Sequence, residues 1–174
     1  MGYTVKPVSE YDEKIGDLVF MLEHVREGTL QAISGWDTEK LDFSGHDTAN
    51  STGALLVHIA AIEKVHQLIS FENRDFNADE LAEWGTTIEL GAKAREVICG
   101  YPLAYYTEKL ASVRAVTLQE LKVKNDSWLY EERCWPNGVP YNMYYLWFHV
   151  LEDEISHRGQ IRAMAGRFMK EDAF

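Results

Sequence analysis

The chain has 174 residues, 46 % of them hydrophobic and 26 % charged, and carries a net charge of −11. That length suits one domain spanning residues 1–174 and burying roughly 70 % of its unfolded surface, and the composition excludes disorder, a collagen repeat and a disulfide scaffold. The excess of carboxylates, with no basic stripe, argues against a nucleic-acid partner, whose phosphates call for clustered Lys and Arg.

Residues Met1–Lys6 lack the basic segment and apolar run of a secretory signal, and Lys6 stands where a myristoylation motif wants Ser or Thr. Four segments then carry a helical period. The first follows Ser9 and Asp12 and runs Ile15, Leu18, Leu22, Val25, fading near Gly35. The second starts after the polar cluster His46–Thr52 and places Leu55, His58, Ile62, Val65 and Ile69 on one stripe. Residues 72–101 fit no long helix; Asp79–Trp84 and Ala92–Val97 are short candidates. The third begins near Pro102 and continues Leu103, Tyr106, Leu110, Val113, Thr117. Residues 125–140, with Trp128, Trp135, Pro136, Gly138 and Pro140, read as a loop whose tryptophans are placed to roof a pocket. The fourth helix runs from about Tyr141 to near Phe168.

Strand signals are poor, so the chain reads as all-α, an antiparallel four-helix bundle with an irregular insert between its second and third helices. The apolar stretches Leu55–Ile62 and Tyr144–Leu151 are each broken by a histidine and fall short of a bilayer, so no membrane partner is expected. Cys99 and Cys134 are far apart and form no CxxC, which fits two free thiols in the cytoplasm.

On a helical wheel of the fourth segment, His149, Asp153, His157 and Gln160 share one stripe, with Leu146 and Met164 at its ends. Tyr144, Phe148, Leu151 and Ile155 form an apolar seam opposite. Read alone, the apolar seam is the core and the polar stripe faces water. His58 points the other way, because it lies on an apolar seam and a buried histidine needs polar partners. If the two stripes meet, the interior holds two imidazoles and a carboxylate, a candidate divalent-metal site. Asp153 and His157 are one turn apart, His58 comes from a facing helix, and three ligands leave a position open for water or substrate. His149 and Gln160 are then candidates to orient the ligands or the substrate.

The stretch His149-Val-Leu-Glu-Asp153-Glu-Ile-Ser-His157-Arg158-Gly159-Gln160-Ile161 resembles the last helix of the DinB/YfiT-like superfamily, in which a His-Arg-Gly-Gln-Ile run is characteristic. Ser51–Glu63, with His58, looks like that family's second helix. The resemblance implies a DinB-like four-helix bundle binding a divalent ion, zinc or nickel above others, on His58, Asp153 and His157. The family's usual third ligand is a histidine; Asp153 departs from it, as does the carboxylate of the related mycothiol-dependent maleylpyruvate isomerase type. An oxygen ligand shifts preference toward harder ions. The resemblance also implies a small-molecule substrate, and transfer or isomerisation chemistry with a low-molecular-weight thiol such as bacillithiol or mycothiol, or metal-dependent hydrolysis. A non-catalytic stress or interaction protein on the same scaffold is the alternative. Two histidines and a carboxylate also describe the ligand set of iron oxygenases. With the polar stripe turned inward, the seam Tyr144, Phe148, Leu151 and Ile155 is left outside, and a homodimer through the last helix would cover it.

Overall fold

The computed structural model describes residues 3–45 and 49–171, the side chains of 167–171 excepted. Four long helices form the bundle: α1 (Glu13–Ala32), α3 (Thr52–Gln67), α6 (Leu103–Lys122) and α7 (Met143–Glu171). Three short helices join them, α2 (Thr38–Asp42), α4 (Ala78–Glu89) and α5 (Gly91–Val97), together with an antiparallel two-stranded ribbon of β1 (Glu132–Cys134) and β2 (Pro140–Asn142).

Side-chain caps set several boundaries. Ser51 accepts from the Ala54 amide at the start of α3, and Asn142 accepts from the Tyr145 amide at the start of α7. Asn77 and Glu80 form a reciprocal capping box at the start of α4. Asp12 precedes α1 without capping it; its carboxylate accepts instead from the Asp126 amide, and Asp126 accepts from the first amides of α1. Of the polar cluster expected before the second helix, residues 46–48 lie outside the described residues.

The long helices do not simply alternate. Gly53 meets Tyr106 and Gln67 meets Val113 and Thr117, so α3 and α6 run parallel. Leu18 and Met21 share a groove with Tyr144 and Phe148, and Gly28 lies against Arg158, so α1 and α7 are also parallel. The antiparallel neighbours are α3 with α7 and α1 with α6. Two parallel neighbours joined in sequence require a long crossover. Residues 73–102 are that crossover: α4 packs on α3, and Gly91 reaches Asn50 at the opposite end. Its two helices are the two short ones expected there, α4 being longer at both ends.

α3 is buried on nearly every side over Thr52–Ala61, as a central helix must be. Gly53 allows its close approach to α6, since a Cβ there would lie 2.5 Å from the Tyr106 hydroxyl. Thr52–Glu72 is long and apolar enough to pass for a membrane span by length and composition. The sequence expectation missed this by stopping at the histidines. Most of the segment is packed inside the bundle, and that accounts for its apolar character.

The apolar core falls into two clusters. One gathers Leu55, Leu56, Trp84, Tyr106, Leu110 and Ile161; the other gathers Leu18, Leu22, Leu121, Trp128, Leu146 and Trp147. Trp135 stacks on Tyr141 and packs against the second cluster, so the two tryptophans of 125–140 close that end of the bundle and do not roof the polar site. Between the clusters lies a charged layer that the periodicity did not reveal. Glu63 accepts from Arg114 Nε at 2.7 Å, from Thr117 Oγ1 at 2.6 Å and from Arg26 Nη2 at 2.9 Å. Arg26 Nε also donates to Glu154 at 2.8 Å, and Arg26 and Arg114 each donate to a backbone carbonyl, of Leu110 and Leu22.

Burial alone would raise the Glu63 carboxyl, but Arg114, Arg26 and Thr117 together hold it at about 2, below its usual 4.5. A depressed carboxyl contributes stability above its unfolded value and loses that contribution as pH falls through the folded one. Glu63→Gln should therefore destabilise the protein by roughly 3–5 kcal/mol near neutrality, since it strands buried guanidinium charge. In urea titrations the gap to wild type should narrow as pH drops from 4.5 toward about 2. A gap independent of pH would contradict this account.

Candidate metal centre

His58 sits on the buried length of α3, and Asp153 and His157 sit one turn apart on α7, which crosses it antiparallel. The structure brings all three together, with one ligand atom from each lying within 4.8 Å of the others. Asp153 Oδ1 is 3.5 Å from His58 Nε2 and 3.4 Å from His157 Nε2. The two imidazoles meet edge to face at 4.8 Å between ring centres.

Those separations are longer than good hydrogen bonds. The two separations from Asp153 Oδ1 match the edge of a coordination tetrahedron, because atoms about 2.0–2.1 Å from a zinc ion sit roughly 3.3 Å from one another. His58 Nδ1 lies 2.8 Å from the Thr87 carbonyl, which can only accept, so Nδ1 carries a proton and Nε2 is the nitrogen turned to Asp153. A backbone carbonyl holding the far nitrogen of a histidine is the usual support of a metal ligand. Burial alone would raise the Asp153 carboxyl, but its polar contacts with His157 and His58 hold it well below the carboxylate range, so it is ionised. Its Oδ2 and His157 Nδ1 are buried without a hydrogen-bond partner. A cation beside Asp153 would compensate that buried, unpartnered negative charge.

The two orienting candidates fall elsewhere. His149 is one turn before Asp153, but its Nδ1 faces Glu152 at 3.4 Å and its ring faces His66 at 5.4 Å. Gln160 is exposed and lines a cleft of about 320 Å³ with Ser44, Asn50 and Met164. Neither touches the triad among the described contacts. Sequence reasoning missed Thr87, which acts through its carbonyl and leaves no side-chain signal.

The sequence pattern of the mycothiol-S-transferase family matches residues 17–166, which include the triad, α3 and α6, and all but the first turn of α1 and the last turns of α7. The chain belongs to the mycothiol-S-transferase family. No curated protein matches it. Among solved structures it is similar to a conserved protein from Enterococcus faecalis, with a TM-score of 0.64 at 15 % identity, covering 84 % of this chain and 92 % of that one. At that identity the likeness shows a shared helical fold. The family implies metal binding and a thiol cosubstrate, and the three side chains fit a metal ion by donor type and spacing.

Elemental analysis of tag-free protein should find about one equivalent of a divalent first-row ion per chain. His157→Ala should abolish binding, Asp153→Ala should weaken it at least tenfold, and Asp153→His should retain it. A chelator should lower the melting temperature without removing the helical circular dichroism, since the two apolar clusters that hold the helices together do not include the three ligands. Full metal content in a His58→Ala, His157→Ala double variant would sink the assignment.

Proposed function

We infer that the protein is a metal-dependent thiol S-transferase acting on small molecules, with His58, Asp153 and His157 as the ligands of one divalent ion, zinc or nickel. The observation that carries this reading is the His58–Asp153–His157 spacing within a chain of the mycothiol-S-transferase family. A bound ion supplies a Lewis acid that lowers the pKa of a thiol, so that the anion is available near neutral pH. The chain's own residues do the rest. His58, oriented by Thr87, and His157 present ring nitrogens, while Asp153 supplies one negative charge. The low exposure of the three side chains, 8 %, 13 % and 14 %, limits the water that competes with the thiol. Hydrolysis by the same centre, with water in the thiol's place, is the second reaction the geometry permits. We place the protein in the cytoplasm, where such thiols are the reducing pool and where two exposed free cysteines, Cys99 and Cys134, are tolerated.

The test is a transfer assay with the metal-loaded protein, mycothiol or another low-molecular-weight thiol, and an electrophile such as monobromobimane. Wild type should accelerate thioether formation above the uncatalysed rate, and His157→Ala should reduce the rate to background. Acceleration that survives metal removal, or its absence with every thiol tried, would overturn the transferase reading.

We also propose that the chain forms a homodimer through α7. Phe148 and Ile155 are about half exposed and border an apolar groove of about 710 Å³ between α1 and α7, with Phe20 and Met21 on the other wall. Leu151, the third member of that seam, is buried at the groove floor by α1, so it is not the residue to probe. Phe148→Glu should yield monomer by light scattering with metal content intact; a monomeric wild type refutes the dimer.

A further inference from the structure

His66 lies two turns beyond His58 on α3 and is buried. Its Nδ1 is 2.7 Å from the Ile62 carbonyl, so the proton is on Nδ1 and the lone pair on Nε2. The ring meets that of His149 at 5.4 Å between centres. His149 is 42 % exposed at its side chain and leads on to Glu152 and the exposed Tyr145 at the surface. The groups facing His66 are the Ile62 carbonyl and Glu63 on its own helix, and His149 and Asp153 on α7. Burial depresses the His66 pKa. The Ile62 hydrogen bond, Asp153 and Glu63 oppose that shift, and His149 reinforces it, leaving a neutral ring. Along one seam the chain thus sets a ligand carboxylate, a buried neutral base and a half-exposed imidazole in order from the triad to solvent.

We propose that His66 and His149 form a proton relay for the centre, carrying the proton of an incoming thiol to water. The proposal rests on the thiol reading above. The S–H bond breaks, sulfur keeps the electron pair as thiolate, and the proton passes to His66 Nε2, directly or across one water. The imidazolium so formed hands that proton to His149, which releases it to solvent. Nothing is oxidised or reduced. The Nδ1 proton stays on Nδ1, donated to the Ile62 carbonyl throughout, so the relayed proton enters and leaves through Nε2.

The experiment uses protein loaded with cobalt(II), with N-acetylcysteine as the thiol probe, and follows the sulfur-to-cobalt charge-transfer absorption by stopped flow. His66→Ala should slow the band on the order of a hundredfold at neutral pH, with cobalt content and final amplitude unchanged. Added 4-methylimidazole should restore the rate. The deficit should shrink at pH values where the free thiol is already ionised. His149→Gln should show a smaller loss of the same kind. In the metal-free protein, imidazole nitrogen NMR should find His66 as the Nδ1–H tautomer. If His66→Ala does not fold, His66→Gln, which fills similar space, takes its place in the same comparison. Wild-type rates with the band intact, or the other tautomer, overturn the relay and leave thiol ligation standing. A slowing that neither pH nor 4-methylimidazole relieves assigns His66 to packing and also overturns it. The absence of the band in wild type removes the thiol reading, and the relay with it.

Discussion

The layer of four charges across the middle of the bundle governs how everything else is placed. Each long helix contributes one member: Arg26 from α1, Glu63 from α3, Arg114 from α6 and Glu154 from α7. All four are nearly inaccessible, and they divide the apolar core into its two clusters. Desolvating four charges is expensive, and such networks are often no more stable than apolar replacements of the same volume. What the layer supplies is discrimination between alignments. An apolar seam tolerates a helix that slides or rolls by a residue, because one leucine replaces another. A buried guanidinium does not, because any displacement leaves it without its carboxylate. Register and rotation of all four helices are thereby fixed at one level.

The rotation of α7 matters most for the chemistry. Glu154 turns toward Arg26 and Arg114, and its neighbour Asp153, about 100° around the helix, is consequently directed at α3. His149 and His157 follow on the same stripe. The topology adds a second constraint. Because α3 and α6 run parallel, the chain must return along the bundle between them, and the returning segment lays α4 against α3. Thr87 then has its carbonyl at His58. The crossover that parallel packing demands also sets the tautomer of a site residue.

The long helices were legible because each buries an apolar stripe that repeats every three or four residues, and the start of α6 was marked by Pro102. The His58, Asp153 and His157 cluster was legible because a polar stripe on α7 and a lone histidine on an apolar face could satisfy one another. The charged layer was hidden by the same counting. Arg26, Glu63 and Arg114 each adjoin a seam residue, Val25, Ile62 and Val113, and a period read on apolar residues steps over them. Helix direction was not legible either, since nothing in a stripe says which way its neighbour runs. The β1–β2 ribbon is three residues to a strand, too short for an alternation to register.

Asp153 and Glu154 are adjacent carboxylates with opposite fates, and the contrast explains why only one is suited to a ligand. Glu154 is held by guanidinium groups whose charge is permanent and whose donors are already spread over Glu63 and backbone carbonyls. An ion could claim it only by stranding those cations. Asp153 is ionised too, but its neighbours are imidazoles at distances too long for strong hydrogen bonds, and one of its oxygens has no partner. An imidazole can turn a ring nitrogen to a cation at little cost, and the Thr87 carbonyl already holds His58 with Nε2 directed at Asp153. One turn of helix therefore carries a carboxylate spent on structure beside a carboxylate still available for chemistry, and the layer that binds the first is what aims the second.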